Sequence, residues 1–283
     1  MRSYRIGGLR VAVTGRRLGQ ALDRMPGMTP FVNTRLSRFD MWINEQENPE
    51  VPEAHEIYRF QLAEERGTCT MLADKDGNLA YRFDSGSVLL HDRFRAGDVF
   101  LDWHGDLDEL RYMLWLAYAH EALAYGAVPV HASAVVWQER AVLCLGESGT
   151  GKSTHTRLWV ENIKNAFLLN DDSPIVRVEH DGVWAYGSPW SGKTPCFRKE
   201  RYPVAAFLRL RQAPDNSIER VPTVQAFVAL QPSCPPTLAH DEQCMDGMVD
   251  FIGGVIGQVP VFLLDCRPDI EAAQLSFKTI FPF

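Results

Sequence analysis

The stretch Ala141-Val-Leu-Cys-Leu-Gly-Glu-Ser-Gly-Thr-Gly-Lys-Ser-Thr154 decides how the second half of this chain folds. Its centre, Gly146 to Ser153, satisfies G-x-x-x-x-G-K-[ST], the phosphate-binding loop. The apolar run Ala141 to Leu145 reads as a buried strand, and Thr154 to Asn162 as a helix. Strand, glycine-rich loop, helix is the context that the motif requires. Across Gly146, Ser148, Gly149, Thr150 and Gly151 the glycines let backbone N–H groups turn inward on phosphates, and the helix N-terminus adds partial positive charge. Lys152 then reaches the β- and γ-phosphates of a nucleotide, and the Ser153 hydroxyl is placed to ligate Mg²⁺. The pattern arises by chance in about one chain of this length in a hundred. The flanking strand and helix therefore favour it over an ordinary glycine-rich turn with a solvated lysine.

A second group lies eighteen residues beyond Ser153. Ala166 to Asn170 reads as another buried strand, and Asp171-Asp172 stands at its end. Carboxylates at the C-terminal edge of a strand beside a phosphate loop can hold Mg²⁺ and can accept a proton from an attacking hydroxyl. The alternative, a solvated Asp-Asp turn before Ser173-Pro174, loses weight because the pair follows the loop at this spacing.

With His131 on the strand before the loop, this combination resembles the superfamily of HPr kinase/phosphorylase and phosphoenolpyruvate carboxykinase. The SG-x-GK core is present as Ser148 to Lys152. Thr150 and Thr154 follow the carboxykinase form of the loop, and Thr154 stands where HPr kinases carry a glutamate. The resemblance runs from about Val128 to Val178 and is absent from the first hundred residues. It implies a mixed α/β nucleotide-binding domain in which Lys152 binds the β/γ-phosphates and Ser153 and Asp172 face the metal. Asp171 would then take the acceptor proton, while His131 biases the protonation of that aspartate. It also implies ATP or ADP with Mg²⁺ as cofactors and permits a homo-oligomer. The upstream lysine, histidine and arginines of a carboxykinase are missing, as are the signature segment and the HPr-docking helix of the HPr kinases. Kinases of free serine and of peptides in the same group fit this chain at least as well.

Around this centre, residues 1–105 read as an antiparallel β-rich domain, 106–127 as a connecting helix and 128–283 as the nucleotide-binding domain. Asp76-Gly77 and Asp181-Gly182 are hairpin turn signals. Asp106 to Ala124 is apolar on two sides and begins with an acidic turn, as a buried helix would. His120 and Glu121 continue one of its stripes and receive no role. Tyr186 to Lys193 is a Gly/Pro-bracketed loop. It either closes over a nucleotide, with Lys193 on phosphate and Trp190 on the base, or is a turn whose Trp packs beneath it. Basic residues cluster after it, and Arg209 and Arg211 share one face of a strand, so one of them is expected at the anionic ligand.

Composition bounds the function. The chain is 46% hydrophobic and 23% charged, enough apolar material for a core, and its net charge of −7 without a basic run disfavours nucleic acid. No apolar signal core and no run of eighteen apolar residues is present. Six scattered cysteines without ligand spacing read as reduced thiols. A cytoplasmic protein with no membrane partner is the expectation. The reading that follows is a phosphotransferase acting on a serine-type hydroxyl of a small molecule, peptide or protein. Its alternatives are a nucleotide-binding regulatory module with little turnover and, behind it, a carboxykinase-like activity.

Overall fold

A computed structural model describes residues 1–35, 37–50, 53–62, 66–92, 97–192 and 194–282. The fold is mixed α/β, with two mixed sheets and a β-rich N-terminal part. The chain divides into two compact units, Met1–Ala124 with Thr237–Met245, and Tyr125–Pro236 with Asp246–Phe283. This differs from the three-part division expected above: the helix at 107–123 groups with the first unit, as does a short segment near residue 240.

The first unit is built on eight strands: β1 (Arg2–Ile6), β2 (Leu9–Thr14), β3 (Met41–Glu45), β4 (Ala54–Gln61), β5 (Thr68–Asp74), β6 (Leu79–Phe83), β7 (Val88–Asp92) and β8 (Asp98–Asp102). Their order is β1-β2-β3-β8-β7-β6-β5-β4. A purely antiparallel unit was expected, but β3 runs parallel to both β2 and β8. A parallel return needs a crossover, and the polar stretch after β2 supplies it with α1 (Arg16–Leu22) and a 3₁₀ turn at Pro26–Phe31. Leu18, Ala21 and Leu22 of α1 are buried, a helical spacing diluted in the sequence by the arginines, glycine and glutamine around them. The Asp76-Gly77 turn forms as read, with the Asp74 carboxylate accepting from the N–H groups of Asp76 (2.9 Å) and Asn78 (2.8 Å). Helix α2 (Leu107–Leu123) is capped by Asp106, whose side chain accepts from the Glu109 N–H at 2.8 Å.

In the second unit β9 (Ala127–Pro129), β10 (Ala132–Trp137), β11 (Arg140–Leu145), β12 (Phe167–Asp172), β13 (Ile175–Glu179) and β14 (Gly182–Tyr186) precede β15 (Arg201–Gln212), β16 (Ser217–Arg220) and β17 (Val261–Cys266). The helices are α3 (Lys152–Asn162), α4 (Thr223–Leu230), α5 (Glu242–Ile256), whose residues before Asp246 group with the first unit, and α6 (Ile270–Ile280). Strand β15 is the spine. Its first residues pair antiparallel with β14, while further along it runs parallel to β11 on one side and β17 on the other. Beyond β11 the sheet continues through β10 to β12, both antiparallel pairings. Helices α3 and α6, with the residue that ends each, cover this sheet through Trp159, Ile163, Ala272, Ala273 and Phe281, which pack on Val135, Val142, Cys144, Leu208 and Leu264. Trp159 is fully buried and meets Phe277 edge-on. The loop after β11 is thereby clamped at one end by a central strand and at the other by a helix anchored in the core. Among the described residues no helix is long and apolar enough to cross a membrane.

Candidate phosphate-binding site

The loop leaves β11 at Gly146 and enters α3 at Lys152. Gly151, the residue before the helix, has φ +110°, and Gly146 has φ +156° with the Thr150 side chain 3.0 Å from where a Cβ would stand. A side chain at either position would be strained, which is why the motif carries glycine there. Thr150 closes the turn, donating from its N–H (3.2 Å) and hydroxyl (2.8 Å) to the Glu147 carbonyl.

Lys152 is almost fully buried, and its Nζ donates to the carbonyls of Gly146 (2.7 Å) and Glu147 (3.1 Å) and to His131 Nε2 (2.6 Å). His131 falls in the break between β9 and β10, not on a strand as expected above, and its backbone N–H donates to the Ser233 carbonyl at 2.7 Å. Burial, then the positive charge of Lys152, holds His131 below its ordinary pKa. Burial likewise lowers Lys152. Two protonated groups cannot share this 2.6 Å contact, so His131 is the neutral partner and its Nε2 the acceptor. Its Nδ1 lies 3.8 Å from Asp172 Oδ1. The result is a row running Lys152, His131, Asp172.

The two aspartates are brought to the loop by register. Strand β12 pairs with β10 so that Ser133 faces Asp171 and Ala132 faces Asp172. The Ser153 hydroxyl donates to Asp171 Oδ1 at 2.8 Å. The resemblance groups Ser153 with Asp172 on the metal side and makes Asp171 the base, whereas the hydroxyl contact formed here is with Asp171. Asp171 is 4% exposed and held against the loop serine, whereas the Asp172 side chain is 37% exposed and turns toward His131. The physical reason is the pleat: neighbouring residues of one strand point to opposite faces, so one carboxylate meets the loop helix and the other does not. Asp172 also has φ +127°, an uncommon backbone for a side-chain-bearing residue, in a bridge to Ser191.

Asn170, which the sequence showed only as the end of an apolar run, is the pin beneath this arrangement. Fully buried, it donates from Nδ2 to the carbonyls of Trp190 (3.1 Å) and Cys196 (3.2 Å) and accepts from the Ser173 N–H at 2.9 Å. Gly192 N–H donates to the Asp171 carbonyl at 2.7 Å. Trp190 is 4% exposed, so of the two alternatives for its loop the packed one holds, and its indole offers no face to a base. Lys193 lies outside the described residues.

Of the basic residues, Arg209 reaches the loop, donating to Glu147 Oε1 at 2.6 Å from a mostly buried side chain. Arg211 instead forms a two-point pair with Asp265. Arg201 is spent on Glu179 and the Trp184 ring. Beside the loop a cavity of about 450 Å³ is lined by Ser148, Gly149 and Thr150 and by Arg209 to Gln212 of β15.

Among the described residues no group of three or more His, Cys, Asp or Glu side chains can hold a metal. Mg²⁺ does not require one, since it binds through one or two protein oxygens with phosphate oxygens and water completing the shell. Ser153 and Asp171, two hard oxygen donors 2.8 Å apart at the loop, fit that requirement.

No protein-family model matches the chain, and no curated protein matches it. Among solved structures, that of the Hpr(Ser) kinase/phosphatase from Coxiella burnetii is similar at 13% sequence identity and a TM-score of 0.32, covering 53% of this chain and 93% of that one. So distant a likeness carries no argument about the function of this chain.

Proposed function

We propose that the protein is a nucleotide-dependent phosphotransferase that moves the terminal phosphoryl group of ATP to an acceptor hydroxyl. The observation that carries this reading is the convergence, at the ends of β10, β11 and β12, of Lys152 with His131, Ser153 with Asp171, and the accessible Asp172. The loop N–H groups and Lys152 neutralise the phosphates, and most of catalysis in such transfers is positioning and charge stabilisation. Ser153 and Asp171 would hold Mg²⁺, which supplies charge neutralisation of the phosphate oxygens. Asp172 accepts the proton of the acceptor hydroxyl as its oxygen bonds to the terminal phosphorus. The bond from that phosphorus to the bridging oxygen breaks, and ADP leaves. His131, neutral and between Lys152 and Asp172, keeps Lys152 directed at the loop. The motif resemblance adds a serine-type hydroxyl as the acceptor class.

The test is Mg²⁺-dependent phosphate transfer to free serine and to a serine-bearing peptide, comparing wild type with Asp172→Asn and Asp171→Asn. Asp172→Asn is expected to lower transfer by roughly 10²–10⁴-fold while ATP binding stays within a few-fold. Asp171→Asn is expected to weaken the Mg²⁺ dependence of binding itself. ATP binding without transfer to any acceptor would replace the kinase reading with that of a regulatory nucleotide-binding module.

A further inference from the structure

We infer that the nucleoside end of the ligand occupies the cavity on the β15–β17 flank of the loop, and that Gln212 selects adenine over guanine there. This rests on the phosphate-loop reading and adds to it the base and its place.

The topology leaves two flanks to a nucleotide whose phosphates lie on the loop. Strand β11 is bordered by β10 on one side and by β15 on the other. The β10 side carries His131 and, through β12, both aspartates, so the reacting end of the polyphosphate belongs there. The nucleoside must then leave toward β15. That flank holds the cavity of about 450 Å³, within the range of small-molecule sites, bounded by Ser148, Thr150, Leu210 and Leu263 as well as Arg211 and Gln212.

Two features suit the lining to a purine. Arg211 is held by Asp265 at two points, Nε to Oδ1 and Nη2 to Oδ2 (2.7 Å), which fixes the plane of its guanidinium. A fixed planar cation is a stacking surface for an aromatic ring. Gln212 donates from Nε2 to the carbonyls of Gly149 (3.3 Å) and Thr150 (3.5 Å). Carbonyl oxygens only accept, so the amide nitrogen must face the loop, and the Oε1 acceptor is the group that Gln212 offers to a ligand. Adenine presents an exocyclic N–H₂ donor on its six-membered ring where guanine presents an oxygen. An acceptor therefore bonds the first and repels the second.

The experiment is calorimetric titration of the full chain with ATP, GTP and inorganic tripolyphosphate in Mg²⁺, for wild type, Gln212→Ala and Arg211→Ala. The readout is each nucleotide's affinity relative to tripolyphosphate, so that any loosening of the loop cancels. Wild type is expected to bind ATP roughly tenfold tighter than GTP. Gln212→Ala should bring the two together, and Arg211→Ala should weaken both nucleotides against tripolyphosphate. Equal ATP and GTP affinities in wild type, or variants that leave the ratios unchanged, overturn the inference while tripolyphosphate binding preserves the phosphate loop. If wild type binds none of the three ligands, the loop reading itself falls and takes this one with it.

Discussion

Each unit of the protein carries its own set of partly or fully buried histidines, and the two sets are put to different uses. In the first unit His120 Nε2 lies 2.5 Å from the Tyr81 hydroxyl and 3.3 Å from that of Thr237, while its Nδ1 is 3.5 Å from Cys244 Sγ. His91 Nδ1 bonds Glu121 at 2.9 Å, and Glu121 in turn accepts from the Gly97 N–H at 3.0 Å. Tyr81, His91, His120 and Thr237 of this group are all buried. Burial pushes the Tyr81 phenol well above its ordinary pKa, so it remains a neutral hydrogen-bonding group. In the second unit His131 joins a buried lysine to an aspartate, and its own side chain is 46% exposed. Similar residue types thus make a buried network in one place and, where His131 and Asp172 reach solvent beside the phosphate-loop motif, the proposed site in the other. Accessibility separates the two: the His131 and Asp172 side chains are partly exposed, whereas Tyr81, His91 and His120 are buried.

Breaking the open set should have the largest effect. Lys152→Ala is expected to lower phosphate transfer by about 10³-fold, since under the proposed function it removes the cation that would neutralise the phosphates. Tyr81→Phe, in the closed set, should leave transfer within about twofold. Comparable losses for both, measured as initial rates at saturating ATP, would erase the distinction.

A stability effect of similar energy comes from His155, buried in α3 and lowered by burial to a pKa of about 4. Its Nε2 contacts the Ser276 hydroxyl (3.0 Å) and accepts from Trp159 Nε1 (3.2 Å), so the folded state wants it neutral. The unfolded chain takes up the proton once the pH falls below about 6.5, whereas the folded chain resists until about 4. The stability present above pH 6.5 is therefore lost progressively across that window, by about 3 kcal/mol in total. Urea midpoints at pH 7 and pH 4.5 measure this, and His155→Asn should flatten the slope. An unchanged slope would place the acid sensitivity elsewhere.

His131→Gln should cost about tenfold in transfer and only a few-fold in ATP binding, because Lys152 keeps its two loop carbonyls but loses its third partner. The wild-type rate should hold steady as the pH falls through the ordinary histidine range and decline only below it, since His131 is held lower. A pH–rate profile that breaks near the ordinary value would contradict the neutral assignment. Smallest of all, Tyr81→Phe should cost about 1 kcal/mol of stability, because it removes the hydroxyl that bonds His120 Nε2. Thermal melts of that variant would sharpen the comparison by showing a purely structural role for the closed set.

Local chemistry made much of this protein legible from its sequence. The glycines at 146 and 151, Lys152 and Ser153 lie within one eight-residue stretch, and their conformations follow from the loop and helix start they build. The Asp76-Gly77 turn and the acidic start of the helix near Asp106 were readable for the same reason: each is satisfied within four residues. Tertiary structure alone decided the rest. Alternation places Arg209 and Arg211 on one face, but only the pairing of β15 with β11 and β17 puts the first on Glu147 and the second on Asp265. An Asp-Asp pair says nothing of which carboxylate meets Ser153; the register of β12 on β10 selects Asp171. Trp190 was assigned to the core by burial, Asn170 to the loop beneath the site by four long-range contacts, and β3 to a parallel place by the crossover before it. These outcomes depend on contacts between residues far apart in the chain, and local periodicity holds no record of such partners.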